Sequence, residues 1–245
     1  NAEERARVNG TMDALRRQHS DPAVRALAAW IRAHSAHVLG DFGGRDRVLG
    51  EITSQLRPAL LGPFDNDQGK GFDAEFAPEV DLKRPEVLDL GRTYQGKLLE
   101  LSWRTDYVAD PRGKIDLGGL LHPTKWQVAY ALSALEVSEA GDYELRISTT
   151  GPVKVWVNGV EAYKNRRLSE WVFDGLVLPV HLRKGVNRVV IKTANSSGSW
   201  LLVSRVTRQG GASAGRVLKA VQPGQAFTSD GTPPCESCPV TERQP

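Results

Sequence analysis

Few residues in this sequence are of a type and spacing that could do chemistry. Cys235 and Cys238 form a single Cys-x-x-Cys in a Pro-flanked segment and are the only thiols. A catalytic thiolate needs a base beside it, and structural zinc takes about four ligands, so this pair supplies half a metal site and no activated nucleophile. A reduced pair and a small local disulfide both stay open, the latter if the compartment is oxidising. Among the histidines, His34 and His37 alone share an i, i+3 spacing, which is that of a solvated helix face. The densest oxygen cluster is Asp65, Asn66, Asp67 and Asp73, interleaved with Gly69 and Gly71. Flexible loops of this kind wrap Ca²⁺, which takes about six to eight oxygens, so Asp65, Asp67 and Asp73 are candidate calcium ligands. An EF-hand loop that began at Asp65 would close on a bidentate Glu where Phe76 stands. The competing reading is a loop whose Asx side chains cap backbone amides while Phe64, Phe72 and Phe76 anchor it. The expectation is no cofactor and no catalytic residue. Gly113 to Gly119 and Gly210-Gly211 follow no phosphate-loop order, which sets nucleotide binding aside.

Binding rather than turnover is therefore the function to look for, and aromatic residues are its best carriers because their flat faces stack on sugars or partner side chains. Trp103, Trp126 and Trp156 lie in alternating runs and are expected in the core. Tyr163 and Trp171 lie in a polar stretch between two strands, with Lys164, Arg166 and Arg167 beside them to donate to hydroxyls or carboxylates. These five residues are the candidate ligand-binding site. The alternative is that the aromatics fold back as a cover over the sandwich edge.

The elements that must position these residues follow from periodicity. With 32 Lys and Arg against 29 Asp and Glu the net charge is +3, so no nucleic-acid partner is implied. No apolar run is long enough for a membrane span. Residues 1–60 read as helices: Val8, Met12 and Leu15 form one stripe, and Ser20-Asp21-Pro22 is a capped start for a second helix through Val38. Gly40 and Gly43-Gly44 should stop it, and a third helix is expected over 45–56. From about residue 97 the period becomes two, as in Leu99-Leu101-Trp103, Trp126 to Leu132, Tyr143 to Ile147 and Val153 to Val157. Further strands are expected over 176–182, 187–193 and 200–207. Turn chemistry separates them, Asn158-Gly159 being the strongest hairpin signal. The fold class is thus mainly β, a two-sheet antiparallel sandwich over 61–208 with a short helical region before it. The remaining 209–245 reads as an extended strap or flexible linker.

Particular runs resemble a known family. The segment from Tyr143 that ends Val155-Trp-Val-Asn-Gly159, followed by Asp174 and by Leu182-Arg-Lys-Gly-Val-Asn-Arg-Val-Val-Ile-Lys192, resembles the second half of a galactose-binding-like jelly roll. That pattern is similar to the sugar-binding domains of glycoside hydrolases. The run Leu61-Gly-Pro-Phe-Asp-Asn-Asp-Gln-Gly-Lys-Gly-Phe-Asp73 with Pro78-Glu79 resembles bacterial exported proteins. In those, helical repeats of the tetratricopeptide type precede such a sandwich, and a transglutaminase-like region often follows. The resemblance implies an extracytoplasmic binding or assembly module that acts through protein contact. The alternatives are glycan binding and an accessory role in a larger glycan- or peptide-processing enzyme. No Cys, His and Asp arrangement here carries the transglutaminase chemistry.

Overall fold

The structure, a computed structural model, describes residues 2–52, 56–83, 89–110, 112–123, 125–167, 170–214, 218–221 and 241–242. Three helices open the chain, α1 (Ala2–Gln18), α2 (Pro22–Val38) and α3 (Phe42–Leu49). The start of α2 is where its cap puts it: Asp21 accepts from the Ala23 N–H at 2.7 Å and Pro22 takes the first turn. The third helix corrects an expectation. Gly43 and Gly44, read as stops, lie in the first turn of α3, because the Asp41 carboxylate accepts from the Gly44 N–H at 2.8 Å. A Cβ at Gly44 would stand 2.0 Å from that carboxylate, so cap and glycine depend on each other.

The strands follow as β1 (Ala59–Asp65), β2 (Tyr94–Gln95), β3 (Glu100–Leu101), β4 (Ile115–Asp116), β5 (Gln127–Val137), β6 (Gly141–Thr149) and β7 (Val153–Val157). After these come β8 (Val160–Asn165), β9 (Leu176–Leu182), β10 (Gly185–Asn195), β11 (Leu201–Thr207), β12 (Leu218–Val221) and β13 (Thr241–Glu242). Two short helices, α4 (Ala77–Leu82) and α5 (Leu117–Leu120), interrupt the early strands. One sheet runs β1-β5-β10-β7-β8, with β12 also on β5; the other runs β13-β9-β6-β11-β4. Both are antiparallel throughout. Strand β1 escaped the sequence pattern because no polar side chain interrupts Ala59 to Phe64, which leaves no period-two alternation of residue type to read. Strand β8 occupies ground read as polar loop, since an edge strand needs only modest burial. The run Leu99 to Trp103 yields only the two-residue β3. The described parts of the tail pair as strands along β5 and β9. Cys235 and Cys238 lie outside the described residues.

Each sheet is covered on both faces, so the molecule is layered. Between the sheets pack Leu135, Tyr143, Ile147, Val155, Leu178, Ile191 and Trp200 with their neighbours. The outer face of the β5 sheet carries Tyr130, Leu132 and Trp156, and the 59–103 segment roofs it with Phe64, Phe72, Leu82, Tyr94 and Trp103. The outer face of the β11 sheet is roofed by helices, where Trp30 stacks on Phe173 at 4.8 Å beside Ala29, Ala33 and Val203.

Both outer interfaces hold buried ion networks. Under the 59–103 roof, Glu79 accepts from Tyr130 Oη and Lys192 Nζ, each at 2.6 Å, and Lys192 also donates to the Ala74 carbonyl at 2.7 Å. Burial pushes the Lys192 ammonium below, and the Tyr130 phenol above, its ordinary range. Beside the helices, Asp174 accepts from Arg205 Nε at 2.9 Å and from Arg146 Nη1 at 3.1 Å. Removing one partner from such a pair leaves an uncompensated buried charge, at a cost of about 3–5 kcal/mol. The Pro78-Glu79 element of the motif thus pins the roof to β10.

Candidate functional site

Covered faces leave the ends of the sandwich as places for a ligand. At one end β5 begins and β10 finishes, and Trp126 stands just before β5 with φ of +55°. A left-handed non-glycine residue costs about 1–2 kcal/mol and persists only where its surroundings fix it. Here they do. The Trp126 N–H donates to the Ser196 carbonyl at 3.2 Å, and the Trp126 carbonyl accepts from the Asn66 N–H at 3.0 Å and from Lys97 Nζ at 2.9 Å. The backbone is held at three points while the side chain keeps 40% exposure.

Beside that ring the 66–72 turn forms part of a cleft. The Gly69 N–H donates to the Asn66 carbonyl at 2.8 Å, Asn66 Oδ1 accepts from the Phe72 N–H at 3.0 Å, and Asn66 Nδ2 donates to the Asn195 carbonyl at 3.4 Å. A Cβ on Gly71 would lie 1.9 Å from the Asp65 carbonyl, which makes glycine obligatory there. The run that resembles exported proteins is therefore in part the blueprint of this turn. Trp126, Gln68, Phe72, Arg166, Asn195 and Ser196, with their neighbours, enclose about 320 Å³. That is the small end of the range for ligand clefts, about 300–1,000 Å³. The lining mixes an open indole and a buried phenyl ring with amide, hydroxyl and guanidinium groups, the combination that stacks on an apolar face and exchanges hydrogen bonds around its edge.

The residues read as a site from sequence are divided between two places. Tyr163 is half-buried against the inter-sheet core. Lys164 Nζ lies 2.7 Å from Asp73 Oδ1, and Arg166 reaches the same carboxylate, Nε to Oδ1 at 3.1 Å and Nη2 to Oδ2. The Arg167 N–H donates to Asn165 Oδ1 at 2.9 Å. Trp171 packs elsewhere, at 5.5 Å from Trp30 in the helical layer. Tyr163 and Trp171 thus belong to layers on opposite sides of the β11 sheet, and only Arg166 of the five lines the cleft. Of the acids, Asp65 pairs with Lys97 at 2.8 Å, which holds its carboxyl below the usual range, and Asp67 opens the 67–72 turn. Among the described residues no group of three or more His, Cys, Asp or Glu side chains could hold a metal ion.

Trp126 corrects a second expectation. Trp103 and Trp156 are buried, but Trp126 is not, since its left-handed backbone takes it out of the alternation that Val128, Tyr130 and Leu132 continue. Alternation sees residue type and not φ, and the Ser196 carbonyl that holds Trp126 lies 70 positions away in the sequence.

No protein-family profile and no curated protein matches this sequence. Among solved structures, an "anti-sigma factor domain-containing protein" aligns over 74% of this chain and 50% of its own, at 13% identity and TM-score 0.39. A β-glucosidase from Kluyveromyces marxianus aligns over 64% of this chain and 18% of its own, at 12% identity and TM-score 0.38. A "PA14 sugar-binding domain from RTX adhesin" aligns over 39% of this chain and 50% of its own, at 20% identity and TM-score 0.29. The chain thus spans half or less of each of these proteins. Scores at this level assign no ligand. No described helix is long and apolar enough to cross a membrane.

Proposed function

We propose that this chain is a non-catalytic binding module that recognises a glycan in the cleft at Trp126. The observation that carries the reading is the exposed Trp126 ring, held on a strained, triply bonded backbone beside Gln68, Arg166 and Asn195. Strain of this kind clusters where a side chain is presented for use. A non-catalytic role is supported by where strongly perturbed groups lie: Tyr130 and Lys192 are buried and both bonded to Glu79, apart from the cleft lining. The galactose-binding-like resemblance supports a jelly-roll sandwich and a place outside the cytoplasm.

Glycan-array binding followed by calorimetry tests the reading. Trp126→Ala should weaken binding about thirtyfold or more, as hot-spot truncations do, with the melting temperature nearly unchanged. Unaltered glycan affinity in that variant would remove the cleft from consideration.

Contact with a protein partner is the second reading, and a separate observation favours it. Leu98 and Leu99, at 67% and 73% exposure, form the tip of the β2–β3 hairpin, whose Lys97 bonds to the Trp126 carbonyl. Leu98→Ser with Leu99→Ser should abolish partner capture while glycan binding persists; loss of glycan binding alone would count against it.

A further inference from the structure

We infer that the cleft selects neutral sugar residues over anionic ones and that Asp73 sets this selection. The inference rests on the glycan reading above. Among the described residues lining the cleft, Arg166 is the one charged side chain, and it is not available as a bare cation. Its Nε and Nη2 meet the two oxygens of Asp73 side-on, and Lys164 Nζ adds to Asp73 Oδ1 at 2.7 Å. Side-on pairing occupies one of the two edges with which a guanidinium can grip a ligand carboxylate or phosphate, and it sets a carboxylate charge against the cation. The other edge of the guanidinium keeps N–H donors, and sugar hydroxyl oxygens accept from these without any charge of their own.

An anionic residue meets a different environment. It would bring a second negative charge next to Asp73 and would have to compete with it for the same two cations, so like-charge juxtaposition acts as the rejecting element. The nearby Asp65 and Lys97 form a balanced pair at 2.8 Å and contribute no spare cation. The remaining polar lining is neutral, and Gln68 and Ser196 offer both donors and acceptors, which matches hydroxyl groups. At about 320 Å³ the cleft suits the end of a glycan rather than a long stretch of it. Asp73 therefore acts as a specificity-determining residue through Arg166, without lining the cleft itself.

The test measures binding of a panel of methyl hexopyranosides and of the matching methyl hexuronosides, by calorimetry and indole fluorescence, at low salt and at 0.5 M NaCl. The wild-type chain should bind at least one neutral glycoside at least tenfold more tightly than its uronate. Asp73→Asn frees Arg166 and Lys164 from their counter-charge, so its uronate affinity should rise at least tenfold relative to its neutral affinity, and that relative gain should disappear at high salt. Equal wild-type affinity for the neutral and uronate forms overturns the selectivity while leaving the glycan reading intact. A wild type that discriminates while Asp73→Asn gains nothing overturns the role of Asp73. Binding of no glycoside of either kind overturns the glycan reading and this inference with it. Should Asp73→Asn fail to fold, Arg166→Gln is decisive: with the Asp73 charge then opposed by Lys164 alone, discrimination against uronates should grow, and a shift toward uronates overturns the proposal.

Discussion

The ground around Trp171 and the ground around Trp126 differ in what surrounds the indole, and the character of the local sequence does not decide either case. Trp171 comes from a polar stretch yet packs against Trp30, a residue 141 positions earlier, in a layer shared with Phe173 and Val203. Trp126 comes from an alternating run yet stands open at the end of the sandwich, on a backbone that three hydrogen bonds hold in a left-handed conformation. The first case shows that a loop belongs to the surface only if no other segment covers it. The second shows that one residue with positive φ cancels the period that its neighbours obey.

The sharpest way to break this contrast is to truncate the ring that covers Trp171. Trp30→Ala should lose about 3–5 kcal/mol of unfolding free energy in urea, and Trp171→Ala about 1–3 kcal/mol, because both leave a cavity in the helical layer. A Trp171→Ala variant as stable as wild type would return that side chain to the surface and reopen it as a recognition residue.

A second difference is that the helical layer is hinged on a titratable contact. His34 Nδ1 lies 2.6 Å from Arg112 Nη1, and that guanidinium also grips Asp110 at 2.8 Å and lies over the Trp30 ring at 5.5 Å. Burial first, then the charges of Arg112, Lys114 and His37, lower the His34 pKa from 6.5, with Asp110 opposing. The unfolded chain therefore takes up a proton at higher pH than the folded one, and stability falls as pH drops from about 6.5 to the folded pKa, then levels. Melting temperatures between pH 8 and pH 5 should show this loss, and His34→Gln should flatten it. An unchanged slope in the variant would remove His34 as its source.

The sandwich was legible because residue type alternates in strands such as β6, where Tyr143, Leu145 and Ile147 face the inter-sheet core between polar side chains, and because turn residues punctuate the rest. The six strands β5, β6, β7, β9, β10 and β11 all lie where those signals put them. Strand β1 was not legible, because no polar side chain precedes Asp65 in it, whereas the equally covered β5 and β10 carry polar residues along their length. The cleft was legible only in fragments: Arg166 and the Asn66 to Phe72 turn were noticed, but Trp126, Asn195 and Ser196 join them through the β5–β10 pairing, which no local spacing encodes.

Replacing Trp126 sharpens the contrast at smaller amplitude. Trp126→Ala should stay within about 0.5 kcal/mol of wild type, as substitutions away from packing usually do. Trp126→Gly should be more stable than the Ala variant by up to about 1 kcal/mol, since glycine enters the left-handed region freely. Equal stability of the two, by chemical denaturation, would mean that the turn relaxes to negative φ once the ring is gone.

The smallest effect expected is none, and it concerns the acids beside that cleft. Asp65, Asp67 and Asp73 are the candidate calcium ligands of the sequence, and a ligand bound only to the folded state would raise its stability by mass action. Two of the three already hold side-chain cations: Asp65 holds Lys97, and Asp73 holds Lys164 and Arg166. Calcium would have to displace those ammonium and guanidinium groups, leaving three cations unpaired around its own two charges, so the arrangement opposes the metal electrostatically. Chelator should leave the melting temperature where it is, with or without added Ca²⁺. A fall of several degrees on chelation, restored by Ca²⁺ and absent in Asp67→Ala, would show that the loop exchanges its lysine and arginine partners for the ion. It would also uncouple Asp73 from Arg166, and the charge balance of the cleft would then depend on calcium.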